Sequence, residues 1–277
     1  MKVITGNRGW KANLSMVIIA LFFLVQGLGC RGASSTEKLE EIDTAFRKSR
    51  SNLNESASFI TALRGFDFEN ADFFDRAMAS IGESRNAAQE VLASLEELGS
   101  FDYGGVLANL GGYIQEYSDA AAEAVVELLD AFTAMEELLQ ALEPTLREEA
   151  TITQLEAPQS DAEWLGRLRK LYAALDVSLA DLTRMEVPPI LSDYLAYFTD
   201  LFTTMHKLTE EIITALNSPV PQLDSESNPD FLHVLALLDN YPSLVEKFYE
   251  KFKIFHIDPL VERVELEINR LYLEEED

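Results

Sequence analysis

Residues 191–216 read LSDYLAYFTDLFTTMHKLTEEIITAL, and this stretch decides the fold class. Its large apolar residues recur every seven positions in two columns, and a third set widens the apolar face. A stripe this broad is typical of a helix in a bundle core, whereas a two-stranded coiled coil has a narrower seam. The three sets are Leu191, Phe198, Met205 and Ile212; Tyr194, Leu201, Leu208 and Ala215; and Leu195, Phe202 and Leu216.

A longer stretch of the same kind begins at Leu107 and carries two adjoining heptad seams. Its 36 residues would span about 54 Å as a helix. The seams hold Ile114, Ala121, Leu128, Met135 and Leu142, and Leu110, Tyr117, Ala124, Ala131 and Leu138.

The rest of the chain shows the same spacing of three and four, with no convincing period-two run. We therefore predict an all-α fold, an elongated antiparallel helical bundle of about six to seven helices. The predicted helices cover about 36–63, 71–98, 107–142, 160–185 and 189–216, and two more begin near 229 and 258.

Several helix ends carry recognisable sequence patterns. A Ser or Thr followed three residues later by Glu is typical of a capping box, and Asn-Pro or Asp-Pro commonly starts a helix. Pro242 is expected to kink or split its helix, because proline lacks the backbone donor. The starts are Ser34-x-x-Glu37, Ser160-x-x-Glu163, Pro188-Pro189, Asn228-Pro229 and Asp258-Pro259, and Gly99 is the clearest stop.

Two segments interrupt the helical pattern. Residues 145–159 are polar, with Pro144 and Pro158 at their borders, and form a weak internal boundary. Residues 218–228 (SPVPQLDSESN) have the composition of a linker. A helix ending Leu92-x-x-Leu95-x-x-Leu98 before a break is matched 87 residues later by Leu179-x-x-Leu182-x-x-Met185, which suggests two related helical hairpins.

The first thirty residues have the order of an export signal. Three basic residues precede the apolar run Met16 to Val25, which closes with Gly27-Leu28-Gly29-Cys30. With the only cysteine of the chain at this point, the segment resembles a bacterial lipoprotein signal, although Gly27 occupies a place that is usually aliphatic. The resemblance implies a signal peptide at 1–29, lipidation of Cys30, a tether at 30–35 and a helical domain at 36–277.

Two alternatives to lipidation remain open. Ordinary cleavage after Gly29 would leave Cys30 as a free thiol, and an uncleaved segment would be retained as a transmembrane anchor. Met16 to Leu28 is thirteen residues, short of the roughly 20 that a spanning helix needs.

A second resemblance lies in the body of the chain. Residues 179–202, LADLTRMEVPPILSDYLAYFTDLF, are similar to a hairpin of poorly characterised bacterial helical lipoproteins. This resemblance implies no activity.

The charge excludes one class of partner. Residues 1–29 carry three basic residues and no acidic one, so their removal takes the formal net charge from −26 to −29. Such a field repels phosphate backbones and anionic lipid, so no nucleic acid is expected and the body should stand off the membrane. We interpret the acidic charge as a soluble surface. Attraction of divalent cations to that surface is a weaker alternative.

The chain has few residues suited to catalysis or metal binding. His206 with Glu210, and Asp230 with His233, share a helical face, but a di-iron bundle needs two Glu-x-x-His motifs and further glutamates. His256 is interpreted as a turn residue. No Gly-x-Ser-x-Gly, Walker or dinucleotide-binding motif is present. We expect no enzyme activity, no catalytic residue, no metal site and no cofactor.

Two further patterns admit a functional and a structural interpretation. The aromatics at 194–202 and 248–255 are interpreted as core, with a ligand pocket as the alternative. Gly104-Gly105 and Gly111-Gly112 are interpreted as loosening a helix start, although they would also admit a close partner helix.

These observations favour a membrane-anchored envelope lipoprotein on the outer side of a bacterial cell membrane or outer membrane. It would act as a non-enzymatic helical interaction or assembly module with a protein partner. The alternative is a ligand- or cation-binding lipoprotein with a site between helices. An exposed apolar stripe would favour the first, and an enclosed pocket with converging carboxylates or histidines the second.

Overall fold

The computed structural model describes residues 35–62, 73–218 and 228–276, and in these ranges it contains helices and no strand. The all-α helical bundle predicted from the periodicity is confirmed. The described part has seven long helices and one of five residues. They are α1 (Ser35–Ser56), α2 (Ser58–Ala62), α3 (Phe73–Gly99), α4 (Ala108–Gln154), α5 (Asp161–Leu182), α6 (Ser192–Leu216), α7 (Pro229–Lys251) and α8 (Asp258–Glu276).

The predicted apolar seams form the core. All ten seam positions of α4 are buried. The apolar stripe of residues 191–216 is buried at Leu191, Tyr194, Phe198 and Leu201, and it is half-buried from Met205 onward. The repeating apolar pattern therefore marks the inner face of α4 and of the first half of α6.

Two helix caps follow the sequence patterns. The Ser160 hydroxyl accepts the Glu163 N–H at 3.2 Å, while the Glu163 carboxylate accepts the N–H of Gln159 at 2.9 Å. The bond from the Gln159 N–H, together with one from the Arg167 guanidinium, holds the pKa of the Glu163 carboxyl below its usual value. The Asn228 side chain accepts the N–H groups of Asp230 and Phe231 at 2.8 and 3.1 Å.

Two prolines that were expected at helix interruptions lie inside helices. Pro144 lies inside α4, which continues to Gln154, so the helix runs ten residues into the expected boundary at 145–159. Proline cannot donate a backbone hydrogen bond, and burial of the residues that follow Pro144 offsets this loss. The Thr145 hydroxyl, for example, donates to Ser178 at 2.9 Å in the core. Pro242 likewise lies within the single helix α7 and does not split it.

A third difference concerns the first predicted helix. A turn at Ala57 separates α1 from α2 where one helix was expected over 36–63. The N–H of Phe59 donates to the Ser84 hydroxyl of α3 at 3.1 Å, and Ser58 also bonds Ser84 at 3.0 Å. A hydroxyl group of α3 thus accepts a backbone hydrogen bond at the start of α2.

The chain divides into two compact units. In the first, which includes Ala88–Val125 and the described residues before Glu55 and after Phe255, Phe46 of α1 meets Tyr117 of α4 edge to face, with ring centroids 5.1 Å apart. The Tyr117 hydroxyl bonds Ser49 at 3.0 Å, and burial raises the pKa of Tyr117 to about 12. Helix α8 also belongs to this unit, and its Arg263 guanidinium donates to the Glu116 carboxylate of α4 at 2.7 Å.

The second unit comprises Glu55–Ala87 and Val126–Phe255, apart from the undescribed residues within those ranges. Here Arg85 of α3 forms a two-pronged ion pair with Glu136 of α4, at 2.8 and 2.7 Å. In the same unit α6 packs on both α5 and α7. The helices α6 and α7 are antiparallel, because the start of one contacts the end of the other: Asp193 with Lys251, and Glu211 with Asn228.

The two hairpins proposed from the sequence share a local architecture. In each, a helix ends, a loop follows, and a three-residue 3₁₀ turn opens a long helix. The turns are Gly105–Leu107 and Pro189–Leu191, which are 84 residues apart, whereas the leucine patterns that precede them are 87 apart. An offset of 84 is a multiple of seven, so shifting the sequence of α4 by 84 residues places its heptad seams on those of α6.

Candidate functional site

The candidate site is an exposed apolar surface on the first half of α7. None of the residues 229–240 is buried. Leu232, Leu235 and Leu238 are 51, 42 and 43% exposed. Residues three apart lie on neighbouring turns, so these side chains form one ridge, which we call the leucine ridge.

An aromatic core anchors the second half of α7. Tyr241 and Phe248 are buried against Tyr194 of α6, with ring centroids 6.4 and 4.5 Å away. Tyr197 lies 5.7 Å from Tyr241. Burial raises the pKa of Tyr194 and of Tyr241, and raises that of Tyr197 to about 12. The aromatics at 194–202 and 248 are therefore core, as expected.

Two polar contacts hold the first half of α7 to α6. The Tyr197 hydroxyl donates to the Leu237 carbonyl at 3.1 Å, and His233 Nε2 lies 3.1 Å from Asp200 Oδ2. By helical spacing, Leu235 lies about 160° around α7 from His233. These contacts fix the helix on one side and leave the leucine ridge on another.

A shallow groove of about 600 Å³ lies over the outer face of α6. Its floor includes Leu195, Thr199 and Thr203, which recur every four residues. The two threonine hydroxyls donate to carbonyls of their own helix, at 2.7 and 2.6 Å, so they are already hydrogen-bonded within α6. Asp200, which also lines it, is the aspartate that contacts His233.

Two histidines contact aspartates on neighbouring helices. His206 Nε2 lies 2.8 Å from Asp176 Oδ1 of α5, and its ring packs 4.1 Å from that of Tyr172. His233 contacts Asp200, as described above. Within 35–62, 73–218 and 228–276, no group of three or more His, Cys, Asp or Glu is placed to hold a metal ion.

The basic stretch at 245–257 is packed against its neighbours. Val245, Phe248 and Ile257 are buried, and the Lys251 ammonium donates to Asp193 at 2.6 Å, which holds the pKa of that carboxyl below its usual value. These buried side chains and the ion pair make the segment part of the helical bundle.

The leucine ridge is not apparent from the helical periodicity, although the sequence contains a sign of it. Residues 231–238 (FLHVLALL) include six large apolar side chains, more than one buried face of a helix accommodates. Cys30, the one site residue predicted, lies outside the described residues, as do Ser34 and the 219–227 part of the linker.

Comparison of the chain with protein-family models, with curated proteins and with solved structures found no match.

In the part of the chain that the structure describes, no helix combines the length and the apolar character needed to cross a bilayer.

Proposed function

We propose that this protein is a membrane-anchored, non-enzymatic interaction module that offers its leucine ridge to a protein partner. The observation that carries the proposal is the exposure of Leu232, Leu235 and Leu238 on successive turns of one helix. Contiguous apolar surface of this kind typically marks an interaction site, because burying it releases about 25 cal/mol for each Å² of apolar area.

The rigidity of the ridge supports the same function. The aromatic core around Tyr241 and the bond from Tyr197 to the Leu237 carbonyl position α7 before any partner arrives. A preorganised surface loses little conformational entropy on binding, so more of the apolar contact contributes to affinity.

The proposed location follows from the N-terminal sequence. Lipid on Cys30 would hold the body on the outer side of a bacterial membrane, and the charge of −29 after removal of residues 1–29 would keep it off an anionic lipid surface. In that position the ridge would be available to another envelope protein.

The groove over α6 gives weaker support to the ligand-binding alternative. The threonine hydroxyls of its floor are bonded within α6, and its Asp200 carboxylate contacts His233. The polar groups named here are thus already engaged within the protein, which leaves the leucine ridge as the better candidate.

Site-specific photo-crosslinking in intact cells tests the proposal. A photoreactive phenylalanine replaces Leu235 in the full chain, and the matched control replaces Val177, which is 51% exposed on α5 of the same unit. We expect a discrete adduct from position 235 and none from position 177. Equal labelling from both positions, or none from position 235, contradicts the proposed function.

A further inference from the structure

We infer that the leucine ridge binds a cationic amphipathic helix. The apolar face of that helix would cover Leu232, Leu235 and Leu238, and its Lys or Arg side chains would lie against the acidic residues that follow the ridge on α7. This inference rests on the proposed interaction function and specifies the chemistry of the partner.

The apolar half of the surface has the dimensions of a helix-docking site. The three leucines span two turns of α7, and Ala236, also exposed, lies beside them. A second helix lying along α7 would place side chains spaced three and four apart between them, which is the usual way in which an amphipathic helix is recognised.

The acidic half continues along the same side of α7. Asp239 lies four residues after Leu235, and Glu246 lies seven residues after Asp239, so helical spacing aligns all three. Asp239 and Glu246 are exposed, and Asp239 has no ion pair with any described residue. An apolar patch followed by carboxylates on one face matches a partner that is apolar and basic on one face.

The sequence around the ridge is acidic. From Leu208 to Glu246 the chain has seven acidic residues and no Lys or Arg. The cations that bound this stretch are Lys207 before it and Lys247 and Lys251 after it, and the last two interact with Asp193 of α6. Acidic residues therefore outnumber basic ones in this stretch, which would favour encounter with a positively charged helix.

Charge also disfavours a second copy of this chain as the occupant. Two ridges packed on each other would bring their acidic residues, Asp239 among them, close together in a protein whose net charge is −26. Like charges facing each other across an interface oppose association. The surface is complementary to a basic partner rather than to itself.

A peptide-binding measurement tests the inference. The full chain is placed in nanodiscs of uncharged phosphatidylcholine, and the probe is a short, dye-labelled amphipathic helix of leucine and lysine. A helix of the same pattern with glutamate in place of lysine is the control, and empty nanodiscs give the background. We expect binding of the lysine helix, weakened by salt, and no binding of the glutamate helix.

Three variants locate the binding. Leu235→Gln should weaken binding of the lysine helix at least about tenfold, and Asp239→Asn should weaken it several-fold and reduce its salt dependence. Val177→Gln, a matched exposed position on α5, should leave binding unchanged. All three side chains are exposed, so the variants should fold, and circular dichroism checks this.

The outcomes separate this inference from the proposed function. Equal binding of the two helices, or unchanged binding by Leu235→Gln, overturns the cationic partner. If the lysine helix fails to bind while position 235 still gives a discrete crosslink in cells, the partner chemistry is wrong and the interaction function stands. An adduct of twice the mass of the chain would identify a second copy and also overturn the inference.

Discussion

The side chain of Tyr103 packs directly against Gly111, where an added Cβ would lie 2.5 Å from the Tyr103 Cβ. The Tyr103 hydroxyl donates to the Leu98 carbonyl at 2.7 Å, which fixes the ring beside the start of α4. Burial raises the pKa of Tyr103 well above its usual value. The space that Gly111 leaves is thus occupied by Tyr103 of the same chain.

Alanine substitutions should separate Gly111 from its neighbour. Gly111→Ala should destabilise the fold by about 1–3 kcal/mol, because the new methyl group would collide with Tyr103. Gly112 has open space around it, so Gly112→Ala should be neutral or stabilise by up to about 1 kcal/mol through helix propensity. Urea unfolding followed by circular dichroism measures both, and equal effects would contradict this account.

Phe198 provides a test of the bundle core. Its ring is 2% exposed and lies 5.2 Å from that of Tyr197 and 6.2 Å from that of Tyr194. Phe198→Ala should lower the free energy of unfolding by about 3–5 kcal/mol, because it removes buried area and leaves a cavity. Leu238→Ala on the exposed ridge is the control and should cost less than about 1 kcal/mol. A neutral Phe198→Ala would show that the core is assigned to the wrong face of α6.

Alkaline pH should weaken the first unit through Tyr117. Burial raises the pKa of this phenol to about 12, so the folded state holds its proton more tightly than the unfolded chain, whose pKa is about 10. The resulting stabilisation, about 3 kcal/mol, is complete below about pH 10 and is lost as pH rises through about 12. Tyr117→Phe removes this contribution, so its stability should fall less steeply over that range. Identical pH profiles for the two proteins would contradict the assignment.

The cap of α7 should be worth about 1 kcal/mol, because the Asn228 side chain satisfies two backbone donors that have no partner within the helix. Asn228→Ala should lower the urea midpoint accordingly. Asn240→Ala is a matched control, since that exposed side chain only donates to a carbonyl of its own helix, at Ala236, and its loss should change stability by less than about 0.5 kcal/mol. Similar losses in the two variants would argue against the cap.

The sequence predicted the helices and their inner faces because burial of one side of a helix leaves a local, periodic trace. Every seam position of α4 between Leu110 and Leu142 is buried as that trace requires. Helix ends were predicted wrongly where a residue distant in the sequence determines whether the helix continues. Helix α4 passes through Pro144 while Thr145 bonds Ser178, thirty-three residues away, and the α1 to α2 turn uses Ser84.

The candidate surface was harder to predict for a related reason. An apolar side chain looks the same in sequence whether a neighbouring helix covers it or not, so Leu235 could not be distinguished from the buried Val245. The histidine contacts had the same difficulty, because Asp176 and Asp200 lie thirty or more residues from their partners. Periodicity assigns faces within one helix but not the contacts between helices.

Mass spectrometry can test the predicted lipid anchor on Cys30. Intact mass of the chain extracted from membranes should show the loss of residues 1–29 and a diacyl or triacyl addition on Cys30, because two or more acyl chains are needed for stable anchoring. Cys30→Ser should abolish the addition and move the protein from the membrane to the soluble fraction. A mature N-terminus at Met1 would contradict lipidation and favour a retained segment. An unmodified, alkylatable Cys30 would instead favour ordinary cleavage after Gly29.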